Sequence, residues 1–232
     1  MTKGFNNLLI LLFCPIVFFS TSCQKKWKKP TNVSFDFKLN PNTSNGPINF
    51  TSGNLSLSKI SFKGERKQGT HEVALDQQYN GVMPIALAQN SIASGIQFDI
   101  PQGTYSQMEI KLETNTDQSG NSLLVNGAYI DSLNVSYNVR FKFSAPDVLT
   151  MVAINSSGGG SGIVLVEDQP ATATIIMNPN YWFAPLSKSM LDHAEHELVN
   201  GVKTIKIDND ENEDLYNLIV GRIKEGNSVI IN

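Results

Sequence analysis

Apolar and polar residues alternate along most of this chain. Val33, Phe35, Phe37 and Leu39 interleave with Ser34, Asp36 and Lys38. The same period of two runs through Ile96, Phe98 and Ile100, through Met108, Ile110 and Leu112, and through Leu133, Val135, Tyr137, Val139, Phe141 and Phe143. Successive side chains of a strand point to opposite faces, so each run predicts a strand with one buried and one wet face. Leu55 and Leu57 are followed by Ile60 and Phe62, a slip of one position that a bulge near Ser58 and Lys59 would absorb. Turn-forming residues punctuate the runs at 42–47, 64–69, 101–103 and 117–121. Roughly eight to ten short strands at this spacing predict a mainly β fold, an antiparallel β-sandwich over residues 33–178. The Ser/Gly stretch 156–162 joins two further strand-like runs, 148–154 and 163–166, and reads as a hairpin loop. It lacks the lysine and the following helix of a phosphate-binding loop.

The period changes after Asn178. Residues 187–198 carry Met190, Leu191, Ala194 and Leu198 at helical spacing, with Ser187 as N-cap and Gly201 beyond the end. A second helix is expected over 211–224, opened by a capping box of Asp210 and Glu213 and facing inward with Leu215, Leu218, Ile219 and Ile223. Short strands are expected at 202–207 and, returning to a sheet edge, at 229–231. Residues 179–232 therefore read as a small α/β extension of two helices packed on the sandwich.

The first residues follow neither period. Lys3 precedes an unbroken apolar run at 8–19, about 18 Å long as a helix and too short for a hydrocarbon core of about 30 Å. A basic start, a short apolar core and the small residues Ser20, Thr21 and Ser22 read as a signal peptide over 1–22, a buried N-terminal helix being the alternative. Removing it discards Cys14 and leaves Cys23 as the one cysteine, which excludes an internal disulfide. Ser20-Thr21-Ser22-Cys23, after Val17-Phe18-Phe19, resembles the lipobox of bacterial lipoproteins of the Bacteroidota type. That resemblance implies acylation of Cys23 and membrane attachment through the lipid. Ser20 departs from the branched residue usual there, and Ser20 and Ser22 equally suit ordinary cleavage after Ser22. Residues 23–32 then form a lipidated basic tether, with four lysines and Trp27 suited to a headgroup surface. Gln24 stands where the family often has the aspartate of inner-membrane retention, which implies the outer membrane. The segments "NLSLSKISFKG" and "FDIPQGTYSQMEIKLE" further resemble uncharacterised domains of bacterial lipoproteins, regarded as transthyretin-like or similar sandwiches. The resemblance carries no activity and no site residues.

Charge divides along the same line. The chain carries −3, and setting aside Lys3 and the four tether lysines leaves −8 for the body. An acidic body excludes nucleic acid as a partner, since that requires a basic face. The leading expectation is a non-enzymatic, lipid-anchored binding or scaffold protein of the envelope, its ligand a carbohydrate or a partner protein. Tyr181 and Trp182 are the candidate carbohydrate platform, against a plug between the extension and the sheet.

Two clusters suggest a metal-binding alternative. Asp208, Asp210 and Asn212 offer oxygens at alternate positions, as a calcium loop does, but Glu213 and Ile219 stand where such a loop needs Gly and Glu. The bland reading is acids favouring a helix N-terminus. His193, His196 and Glu197 would share one helix face at a spacing able to grip zinc, without matching a zinc-protease pattern. A hydrolase is the third reading. It has only His71, His193 and His196 as imidazole bases and no G-x-S-x-G motif.

Overall fold

The structure, a computed structural model, describes residues 29–40, 46–68, 70–89, 93–156 and 162–232. The signal peptide, Cys23, Trp27 and most of the tether lie outside the described residues, as do parts of the turns at 42–47 and 64–69 and of the Ser/Gly stretch. Among the described residues thirteen strands form one curled sheet. They are β1 Pro30–Leu39, β2 Ile48–Gln68, β3 His71–Ala88, β4 Ala93–Pro101, β5 Gly103–Thr114, β6 Leu123–Ile130, β7 Ser136–Phe143, β8 Val148–Asn155, β9 Ile163–Leu165, β10 Ala171–Met177, β11 Glu197–Val199, β12 Val202–Ile207 and β13 Ser228–Ile231. Three helices accompany them among the described residues: α1 Pro179–Trp182, α2 Lys188–Asp192 and α3 Glu213–Val220.

The mainly β expectation holds. The strictly antiparallel one does not, because β1 runs parallel to β10, β12 to β7 and β13 to β8. Alternation dictates which face of a strand is buried and says nothing of the direction its neighbours run.

β2 organises the fold. Its first half pairs with β6 and its second half with β5, while β3 pairs along the opposite edge through most of its length. The sheet therefore forks at β2. One wing continues through β6, β7, β12 and β11, the other through β5, β8, β13, β10, β1 and β4. The register of β2 shifts between Leu57 and Lys59, where the sequence pattern slips. Alternation translates directly into burial: Val33, Phe35, Phe37 and Leu39 of β1 are fully buried, as are Leu55, Leu57, Ile60 and Phe62 of β2. These residues share one hydrophobic core with Ile175 of β10, Ile207 of β12 and Val229 of β13.

Three further differences have local causes. β8 and β9 are not a hairpin; both pair antiparallel with β5, β8 along its second half and β9 at its start. They lie one after the other along the same side of β5. The strand expected from Leu133 begins only at Ser136. Asp131 Oδ1 accepts the amides of Leu133 and Val135, both at 2.8 Å, and Asn134 turns left-handed at φ 63°, so residues 131–135 form a tight turn. Finally, β13 is not at a sheet edge but lies between β8 and β10. The last quarter of the chain is woven into the sheet as well as packed upon it.

The fold has two poles. At one, Gln102 N donates to Lys29 O at 2.9 Å, Thr31 Oγ1 donates to Val166 O at 2.8 Å, and Lys29 pairs with Glu167. The β2–β3 hairpin closes there too, with Arg66 Nη1 donating to Gln102 O at 2.6 Å. At the other pole β1 ends at Leu39 opposite Met177, where the chain enters α1.

Candidate functional site

The far pole gathers every site residue expected within residues 179–232. Asn178 caps α1, its side chain accepting the amide of Tyr181, and Pro179 opens the helix where no donor is needed. This turn drives Trp182 and Phe183 inward. Trp182 is fully buried, and its indole donates to Glu225 O at 3.1 Å. Phe183 packs against Phe50 and Phe141 at 4.7 and 5.4 Å between ring centroids. Tyr181 is partly exposed, but the Arg222 guanidinium lies 4.3 Å over its ring and its hydroxyl donates to Glu225 Oε2 at 2.9 Å. Gly226 sits so close that a Cβ there would meet Tyr181 Cγ at 2.4 Å. The carbohydrate platform is thus corrected. Trp182 offers no face, and that of Tyr181 is occupied, because the aromatics fill the gap between the extension and the sheet.

Ser187 caps α2 as expected, accepting the amide of Met190 at 3.2 Å. The helix then stops at Asp192 and does not reach Leu198. Two tertiary contacts override its periodicity. Asn212 clips the chain at Glu195, its Oδ1 accepting the Glu195 amide at 2.8 Å and its Nδ2 donating to the Glu195 carbonyl at 2.9 Å. Residues 197–199 then pair with β12 through a two-residue turn, Asn200 and Gly201, both left-handed.

His193, His196 and Glu197 consequently share no helix face. His193 Nδ1 lies 2.7 Å from Ser189 O, the His196 ring meets Tyr137 edge-on at 5.1 Å, and Glu197 pairs with Lys206 at 2.5 Å. His71 is exposed at the start of β3. Among the described residues none of the three imidazoles hydrogen-bonds a hydroxyl or a thiol.

The acidic loop also spends its oxygens internally. Asp208 Oδ1 accepts the amides of Asp210 and Glu211 at 3.0 and 2.9 Å, and Oδ2 faces Lys142 at 3.5 Å. Partial burial opposes the Asp208 charge, but the two amides and Lys142 outweigh it and hold the carboxyl below its usual range. Asn212, left-handed at φ 53°, directs its side chain at Glu195 and Lys206 O. The expected capping box of Asp210 and Glu213 is absent because Asp208 takes the loop amides. Glu213 and Asp214 remain in the first turn of α3, where they favour the helix dipole. Asp208, Asp210 and Asn212 thus do not converge. Among the described residues no three His, Cys, Asp or Glu side chains form a metal-binding group.

What these segments enclose is a polar groove of about 700 Å³ between the end of α2 and the start of α3, lined by His193, Glu195, Asp210, Asn212, Glu213 and Asp214. Residues 179–232 hold nine carboxylates against five Lys and Arg. On the far side of α2, Asp192 is locked to the β6–β7 turn. It accepts the hydroxyls of Ser132 and Tyr129 and the Ser132 amide. The Ser132 hydroxyl and then Tyr129 hold the Asp192 carboxyl below its usual range, while burial and that carboxylate push the Tyr129 phenol far up.

The sequence pattern missed this turn. Leu133, expected in the core, is 81 % exposed. Its signal was the turn chemistry of Asp131, Ser132 and Asn134. Comparison with protein-family models, with curated proteins and with solved structures finds no match to this chain. No helix among the described residues is long and apolar enough to cross a membrane.

Proposed function

We propose that this chain is a lipid-anchored, non-enzymatic binding protein of the cell envelope, attached to the outer membrane through Cys23 and presenting its helical pole to a partner protein. The observation that carries the reading is the opposition of the two poles. The chain enters β1 at Lys29 beside Gln102, and β1 ends at Leu39 opposite Met177, from which the chain passes through α1 into α2, which lines the groove and is fastened to the exposed turn at Ser132. Six residue steps from Cys23 to Lys29 reach at most about 21 Å, which keeps the entry pole near the lipid. β1 adds about 33 Å along its axis, which carries the far pole away from the bilayer. A protein partner is preferred to a carbohydrate because both aromatic candidates are occupied within the fold. The finer architectural reading, a sandwich of transthyretin-like or similar kind, is supported by the fork at β2 and by one core shared between both wings.

Metabolic labelling with a palmitate analogue tests the anchor. Wild type is expected to label and fractionate with membranes, and Cys23→Ala to do neither. Equal labelling of the two would overturn it.

A further inference from the structure

One stretch of the sheet carries no charge on its outer face. β5, β8, β13, β10 and β1 lie side by side in that order. β8 buries Leu149, Met151 and Ala153 and turns Val148, Thr150, Val152 and Ile154 outward. Register carries the same face over the next two strands: Ile154 pairs with Ile230 of β13, and Ile230 with Thr174 of β10. Ser228, Thr172 and Ile176 alternate with buried neighbours and complete it. Of these nine contiguous positions five are Val or Ile, three Thr and one Ser. Val152 is 57 % exposed and Ile154 55 %.

Charge returns at both flanks. β5 sets Glu109 beside Val152 and Lys111 beside Thr150, and β1 sets Asp36 beside Thr174 and Lys38 beside Ile176. Glu109 and Lys111 pair with each other at 3.3 Å. An uncharged centre inside a charged rim is how protein interfaces are built, and a contiguous apolar face is rarely left on a monomer without a use. The face also has relief. Ile154 is the ridge between two grooves, one of about 350 Å³ against Gln107 and Met108 of β5 and one of about 380 Å³ lined by Ile230, Thr174 and Lys38.

We infer that this face joins two copies of the chain, the β8 ridge of each seated in the groove over the other's β13. A ridge beside a groove is complementary to itself under a twofold rotation, as an isologous interface requires. With the twofold axis along the strands, β5 of one copy comes over β10 of the other. Glu109 and Lys111 then meet threonines rather than like charges, which an acidic chain must avoid in pairing with itself. Five strands about 4.8 Å apart and about 20 Å long offer about 480 Å² to a facing sheet, so two copies remove about 1,000 Å² from water, where specific interfaces begin. The same axis leaves both entry poles at one end of the pair. Neither the anchor nor the groove of the helical pole takes part in the contact.

The test places a photo-crosslinking benzophenone residue at Thr150, at the margin of the face, in the full chain in its native host. Lys63, exposed on the charged outer face of β2, is the control position. The expected product at 150 is a species of twice the chain's mass in which mass spectrometry finds only this chain, and none forms at 63. Its yield should fall roughly tenfold or more in Ile154→Glu and in Val152→Glu, each of which sets two like charges into a twofold contact. Both side chains are exposed in one copy, so the melting temperatures of the purified variants should match wild type. Leu133→Glu, an equal change of charge at another exposed apolar residue, should leave the yield intact. Crosslinking at 150 no stronger than at 63 would overturn the inference. So would a product containing lipid or a different protein, or a yield indifferent to Ile154→Glu and Val152→Glu.

Discussion

Replacing Trp182 with alanine should destabilise the whole fold, although the residue lies in the last quarter of the chain. Its side chain is fully buried, and a tryptophan buries about 150–250 Å². At about 25 cal/mol per Å² that corresponds to about 4–6 kcal/mol, and measured Trp→Ala changes in cores run about 3–5 kcal/mol. The truncation also strips the Glu225 carbonyl of its 3.1 Å indole donor. A loss of about 4 kcal/mol lowers the melting temperature of a protein this size by roughly 8–16 °C. Trp182→Phe keeps most of the apolar area and loses the hydrogen bond, so about 1–2 kcal/mol is expected. Guanidinium unfolding followed by far-ultraviolet circular dichroism measures both. Because β13 lies between β8 and β10, the alanine variant should shift one cooperative transition rather than create an early one. A Trp182→Ala midpoint within about 1 kcal/mol of wild type would refute the plug. An early transition confined to the extension would refute its integration into the sheet.

Two glycines separate strain from collision. Gly201 and Gly226 are both left-handed, at φ 81° and 72°, but a Cβ meets nothing within 4 Å at Gly201 and meets Tyr181 Cγ at 2.4 Å at Gly226. Gly201→Ala should cost about 1–2 kcal/mol by conformation alone, and Gly226→Ala clearly more in the same unfolding assay. The Asp192 carboxyl is held low by Ser132 and Tyr129, so its stabilisation is present above about pH 4 and is lost as pH falls through its folded value. The acid limb of a melting-temperature profile should therefore flatten in Asp192→Asn. Tyr129 has the opposite sign: its raised phenol stabilises below about pH 10 and that contribution is lost at higher pH, so Tyr129→Phe should flatten the alkaline limb. Millimolar Ca²⁺ or Zn²⁺ should leave the melting temperature unchanged; a rise of several degrees, abolished by Asp208→Ala, would restore the metal reading.

Much of the core was legible because burial follows alternation. Val33 to Leu39 and Met108 to Leu112 read as they fold, and the slip at Ser58 marked a true bulge. Strand direction was not legible, since nothing in the β1 pattern distinguishes the parallel β10 from an antiparallel neighbour. Local turn chemistry was legible but outweighed by periodicity. Asn200-Gly201 is a strong hairpin signal, yet Met190, Leu191, Ala194 and Leu198 suggested one long helix. Asp131-Ser132 and Asn134 signalled a turn, yet Leu133 and Val135 extended the alternation of β7 backwards. In the first place a polar side chain from elsewhere decided the outcome, Asn212 clipping Glu195; in the second Asp131 closed the turn itself and Asp192 fastened it to α2 at Ser132. Clips between residues 17 and 60 positions apart leave no periodic trace.

Those same clips define the far pole. Asn212 joins α3 to the segment after α2, Asp192 joins α2 to the β6–β7 turn, and Tyr137 joins that turn to the β11–β12 hairpin. Each uses a polar side chain whose partner lies in another element, and none buries much apolar area. A core needs no such bracing, since packing already orders it. Here the bracing fixes loops that carry exposed leucines and unpaired acids, which folding alone gives no reason to hold still. Preorganisation of a surface serves association, because the ordering entropy is then spent before the partner arrives. The β11–β12 strands and α3 thus have a second consequence beyond closing the sheet: they hold one end of it in a fixed shape, at the end of the fold opposite the chain's entry.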